Sequence, residues 1–187
     1  MFTRSDHRLA KVTYVIHLFS QDITSNTLAL LPALFLAVAL VWFAVCAIVL
    51  FVVDIQQHRL PNRWTGLLFL GASILLLAST LLAPETSVLS GRWLLTLIGS
   101  LSYLLVMFVL HILTRAGIGM GDVKLAAGLG LYTGFIGVEA LVAGFVLAFI
   151  FGGLQAIFLI VFRGAQKSTR IAFGPAMLVG CTVALLM

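Results

Sequence analysis

Asp54 and Asp122 stand beside long apolar runs in a chain that almost excludes carboxylates. Only 9% of its residues are charged, and its 187 residues include six acids. A carboxylate next to a membrane-length apolar run is costly to place, so it is a functional candidate by default, and two of them suggest a pair. Asp54 opens a polar stretch that runs to Trp64, and Asp122 closes a glycine-rich turn that begins at Gly117. Two carboxylates over one water molecule can divide the acid and base roles, and the chemistry this favours first is peptide hydrolysis.

Each motif also fits a plainer role when taken alone. Asp54 can mark a helix end in solvent, and Asp122 can be the N-cap of the helix that follows it. Around Asp54, the Leu60–Pro61 pair requires extended backbone. Asn62 is placed to cap the next helix, and Trp64 sits where an aromatic belt residue is expected. Around Asp122, Gly117, Gly119 and Gly121 relieve steric limits, so the backbone can approach a substrate strand or another helix. Lys124 can bias Asp122 toward ionisation or extend to lipid headgroups. The turn is no dinucleotide-binding loop, because Asp122 takes the place of the last glycine and no strand precedes it.

The elements that must position these residues are membrane helices. A hydrophobic content of 62% and a mean hydropathy of +1.20 exclude an ordinary soluble domain. Crossing a hydrocarbon core takes roughly 20 apolar residues as helix. Six runs come near that length, at 28–53, 64–83, 93–113, 123–138, 140–162 and 171–187. The fold class expected is all-α, six transmembrane helices with short loops, and continuous rather than alternating runs argue against a barrel. The fourth run is interrupted by Gly128, Gly130, Gly134 and Gly137, which suits close helix packing better than an independent span. Residues 28–187 form the expected membrane domain. Residues 1–27 form a tail in which Leu9, Val12, Ile16 and Phe19 have the spacing of a short interfacial helix.

The net charge of +5 is spread among the loops and is no nucleic-acid footprint. Arg59, Arg63, Arg115, Lys124, Arg163, Lys167 and Arg170 fall in the first, third and fifth loops, against Arg92 alone on the other side. Those three loops are therefore expected to face the cytoplasm, although Arg4, Arg8 and Lys11 of the tail run counter to this. Asp54 and Asp122 then share one membrane face. Cys46 and Cys181 lie in apolar runs without ligand or redox spacing, so no metal, cofactor or thiol chemistry is expected. His111 falls near the end of the third run, as an interfacial histidine or a contact to the site. Glu139 falls on the far side. A relay role for the two aspartates in a small proton- or ion-coupled transporter is the alternative reading.

Together the two motifs carry a resemblance. The stretch from Asp54 to Asn62, ending Leu60-Pro61-Asn62, and the segment Gly119-Met120-Gly121-Asp122-Val123-Lys124 resemble those of type IV prepilin peptidases. These belong to the G-x-G-D class of intramembrane aspartic proteases, to which presenilin and archaeal preflagellin peptidase are also similar. Leu125-Ala126-Ala127-Gly128-Leu129-Gly130 continues the second motif, and Phe173-Gly174-Pro175 resembles the start of the family's final helix. The resemblance implies a catalytic pair at Asp54 and Asp122, with Pro61, Asn62, Gly119, Gly121 and Lys124 shaping the site. It further implies cleavage of leader peptides from prepilin or pseudopilin-like precursors at the cytoplasmic face of the cell membrane, in pilus assembly or protein secretion. The methyltransferase region with two C-x-x-C pairs, which bifunctional members carry, has no counterpart in this sequence, so only the peptidase half is expected.

Overall fold

A computed structural model describes residues 30–57, 60–114, 118–163 and 173–187 of the protein. Among them are six helices and no strand: α1 (Leu30–Gln57), α2 (Asn62–Leu81), α3 (Trp93–Leu113), α4 (Met120–Ile136), α5 (Val138–Arg163) and α6 (Gly174–Leu186). Helices α1, α2, α3 and α5 are long and apolar enough to cross a membrane. Helices α4 and α6 have 17 and 13 residues. All-helical structure is what a hydrocarbon environment imposes, since each backbone N–H and C=O must find its partner within its own segment. The expected tail helix, together with His58, Arg59, Arg115, Gly117, Lys167 and Arg170, lies outside the described residues.

Helix α4 is the axis of the bundle. Every residue from Asp122 to Phe135 is buried except Lys124. A helix apolar all round is either enclosed by protein or faces lipid, and this one is enclosed, with α2, α3, α5 and α6 packed around it. Tyr132 extends the enclosure to α1 by donating its hydroxyl to the Ala39 carbonyl at 2.9 Å. Its ring packs on Phe43, with centroids 4.8 Å apart.

The glycines of the fourth run allow this enclosure. A Cβ on Gly130 would lie 2.5 Å from the Gly99 carbonyl oxygen, and one on Gly134 would lie 2.6 Å from that of Leu95. Backbone meets backbone there, and Ser100 adds a hydrogen bond to the Ala127 carbonyl at 2.8 Å. Small residues at a helix–helix seam gain van der Waals contact that lipid chains cannot match. The α4–α5 joint needs a glycine for a different reason. Gly137, the single residue between the two helices, has φ +143°, which side chains rarely adopt.

The outer helices divide into seams and lipid-facing sides. On α1 the buried seam is Leu36, Ala39, Phe43, Cys46, Leu50 and Asp54, while Leu34, Val41 and Ile48 are exposed. The seam advances by three or four residues at each step, and Asp54 keeps that register.

Candidate active site

Asp54 does not begin a loop. Helix α1 continues to Gln57, which puts Asp54 in its last turn, on the seam facing the bundle. Its residue surface is only 3% exposed. The first helical residue of α6 lies against its carboxylate: a Cβ on Gly174 would collide with Asp54 Oδ2 and lie 3.3 Å from Cγ. The N-terminus of α6 thus brings the positive end of a helix dipole beside a carboxylate that α1, ending there, disfavours.

The three residues at that N-terminus divide the work. Phe173 packs its ring over Gly152 of α5, where a Cβ would strike it, and tilts against Phe149 with centroids 5.3 Å apart. Gly174 leaves room for Asp54. Pro175 stands in the first turn, where its missing N–H costs nothing.

Asp122 is not the N-cap of α4. That position belongs to Gly119, and Asp122 is three residues further on. Its Oδ2 accepts the Gly119 N–H at 3.2 Å, while its own N–H donates to the Gly119 carbonyl at 3.0 Å. A carboxylate in this position satisfies an orphan amide of the first turn and complements the dipole. Asp122 is 8% exposed, and its carboxylate lies close enough to Asp54 to interact with it electrostatically. The structure therefore brings the two aspartates to one end of the bundle, from the end of α1 and the beginning of α4.

Pro61 and Asn62 depart from the expected arrangement by one position. Pro61 is the N-cap of α2, with ψ 127°, and Asn62 is the first helical residue and makes no capping bond. Asn62 Oδ1 instead accepts a hydrogen bond from Lys124 Nζ at 2.9 Å, across from α4. Lys124 thus reaches a neighbouring helix, and the two exposed side chains tie the beginnings of α2 and α4 together beside Asp122. Gly121 permits the same approach lower down, since a Cβ there would lie 3.0 Å from Leu60 Cβ.

Leu60 and Gly174 belong to the site but were not expected there. Leu60 lies against both Gly121 and Gly174, where a Cβ would stand 3.2 Å from its Cδ1, so it fills the space between the two aspartate-bearing regions. Its position directly before Pro61 in the first motif was the available signal. For Gly174 the signal was its place between a phenylalanine and a proline.

Arg92 lies at the opposite end, where its guanidinium donates to the Phe135 and Ile136 carbonyls at 2.9 and 3.0 Å. Glu139 is in the first turn of α5 at that end as well. Among the described residues, no three His, Cys, Asp or Glu side chains gather as a metal site. Cys46 and Cys181 are buried thiols in the core.

The model of the type IV leader peptidase family matches residues 41–161, a span that includes both aspartates. The chain belongs to this family. Among curated relatives, it is 30% identical over 139 residues to a prepilin leader peptidase/N-methyltransferase of Bacillus subtilis, covering 74% of this chain and 51% of the relative. It is 32% identical over 136 residues to the protein of the same description in Aeromonas hydrophila, covering 70% and 41%. The chain thus spans about half the length of the curated relatives it matches. No solved structure matches it. The leader peptidase match ends before Phe173, so Gly174, unlike the Asp54 it touches, lies beyond the matched span.

Proposed function

We propose that this chain is a membrane-embedded aspartic endopeptidase that removes leader peptides from prepilin or pseudopilin-like precursors. Asp54 and Asp122 are its catalytic pair, and the cytoplasmic face of the cell membrane is its place of work. The observation that carries the reading is the meeting of two buried carboxylates, each beside a helix N-terminus, in a member of the leader peptidase family. A relay carboxylate of a transporter belongs nearer the middle of the membrane, whereas these two lie at helix ends.

Two neighbouring carboxyls with little access to water hold one proton between them more readily than two negative charges. The ionised member takes a proton from a water molecule, and the resulting hydroxyl attacks the scissile carbonyl carbon. The protonated member gives its proton to the carbonyl oxygen. As the C–N bond breaks, the proton taken from water passes to the leaving amine. One hydroxyl of the tetrahedral intermediate returns its proton to the other carboxylate, so the dyad again holds one proton. The helix N-termini at the site supply fixed positive potential, and Leu60, half-buried between the two sides, restricts water.

The test is cleavage of a prepilin in membranes, normalised to the amount of each variant. Asp54→Asn and Asp122→Asn each abolish processing, and the double variant is no worse than either, since groups acting as a unit are not additive. Substantial turnover by either single variant at wild-type abundance removes the aspartic reading. For the membrane face, reporter fusions at residues 87 and 166 report opposite sides, with 166 cytoplasmic. The reverse assignment places the dyad on the outer face and defeats that part of the proposal.

A further inference from the structure

The third helix ends in two side chains that hold the loop leading to Asp122. His111, in the last turn of α3, has its Nδ1 at 2.6 Å from the Ile118 carbonyl oxygen. A carbonyl oxygen can only accept, so Nδ1 carries the proton and donates it, and the tautomer is set by its partner. Thr114 holds the same residue from its other side. Its Oγ1 accepts the Ile118 N–H at 3.3 Å while donating to the Leu110 carbonyl at 2.7 Å.

What Ile118 passes on is covalent. Its carbonyl and the N–H of Gly119 belong to one peptide unit, which is planar and rotates as a single plate. At one edge of the plate His111 donates to the oxygen; at the other, the Gly119 N–H donates to Asp122 Oδ2 at 3.2 Å. Fixing the first bond fixes the direction of the second. Hydrogen bonds in such a chain also polarise one another, so a donor at the carbonyl strengthens the N–H as a donor. Glycine at position 119 has no side chain to hold the plate in place, so the orientation depends on these contacts.

We infer that His111 is a positioning residue for the proposed peptidase, orienting the Ile118–Gly119 peptide so that its N–H holds the Asp122 carboxyl in its working direction. The inference rests on the aspartic reading of the site. His111 does not touch the reacting atoms; it acts through one peptide group on a carboxylate that does.

The test compares His111→Asn, His111→Phe and Asp122→Asn in cleavage of a prepilin by the full chain in membranes, at matched abundance and with thermal midpoints measured in parallel. The amide nitrogen of asparagine takes the place of Nδ1 and keeps a donor for Ile118, whereas phenylalanine fills the ring space without one. His111→Phe lowers kcat by about tenfold, the factor that loss of one well-placed hydrogen bond commands, with KM within about twofold. His111→Asn recovers most of kcat. Wild-type kcat in His111→Phe, or an equal loss in both His111 variants, overturns the inference. A fall in thermal midpoint with kcat preserved assigns His111 a purely structural role and overturns it as well. Asp122→Asn separates the two failures: inactive Asp122→Asn beside fully active His111→Phe refutes the positioning role alone, while active Asp122→Asn refutes the aspartic reading beneath it.

Discussion

Gly174 and Asp54 are packed so closely that residue 174 cannot carry a side chain without displacing the carboxylate. The contact joins the beginning of the last helix to the end of the first, and it leaves the Asp54 carboxylate no room on that side for a larger residue. Overpacking a tight site costs about 1–3 kcal/mol, and here the strain falls on a proposed catalytic group.

Gly174→Ala therefore lowers kcat/KM for prepilin cleavage by at least about fivefold, the equivalent of the smaller part of that strain. Gly153→Ala is the control, because a Cβ there meets nothing within 4 Å. Wild-type turnover by Gly174→Ala at equal abundance would show that the contact does not constrain the dyad.

The Asn62–Lys124 bond is exposed, so its effect is small but its signature is specific. Exposed polar pairs contribute at most about 1 kcal/mol, so Asn62→Ala and Lys124→Ala each reduce kcat/KM by no more than about fivefold. The double variant falls no further than the weaker single. Full additivity in this cycle, measured on cleavage rates, separates the two residues functionally.

The α3–α4 seam is a stability determinant. At Gly130 the obstructing atoms are backbone, which cannot swing aside, so Gly130→Ala lowers stability by about 1–3 kcal/mol. Thermal unfolding in detergent reads the loss directly. Gly66→Ala, inside α2 where the space is open, does not lower the midpoint. Equal midpoints for the two variants contradict the close packing of α4 on α3.

Cys46 and Cys181 fill the core without a partner of their own chemistry. Replacing both with Ala preserves cleavage and costs about 1 kcal/mol of stability for each group removed. Chelators leave the rate unchanged. Inactivation by EDTA with recovery on adding zinc contradicts this account of the site.

Much of the fold was legible in the chain. Window hydropathy located the six helices of the described residues, because transfer into hydrocarbon depends on the average of about 20 residues and on little else. The glycines of the fourth run foretold its close packing, since only small residues let two helix backbones touch. The placement of Asp54 and Asp122 at one end of the bundle was legible too, because each lies within a turn of a helix end and polarity marks such ends sharply.

Which face each helix turns inward was decided by the tertiary structure. Leu36 and Leu50 are core residues of α1 while Leu34 and Ile48 face outward, yet nothing in their chemistry distinguishes them. Lipid is as apolar as a protein interior, so burial in this bundle follows shape and polar contact rather than hydrophobicity. The Lys124 bond to Asn62 and the Gly174 contact with Asp54 both depend on that rotation. Each joins residues from helices distant in the chain, so local pattern named the two carboxylates and packing alone aimed them.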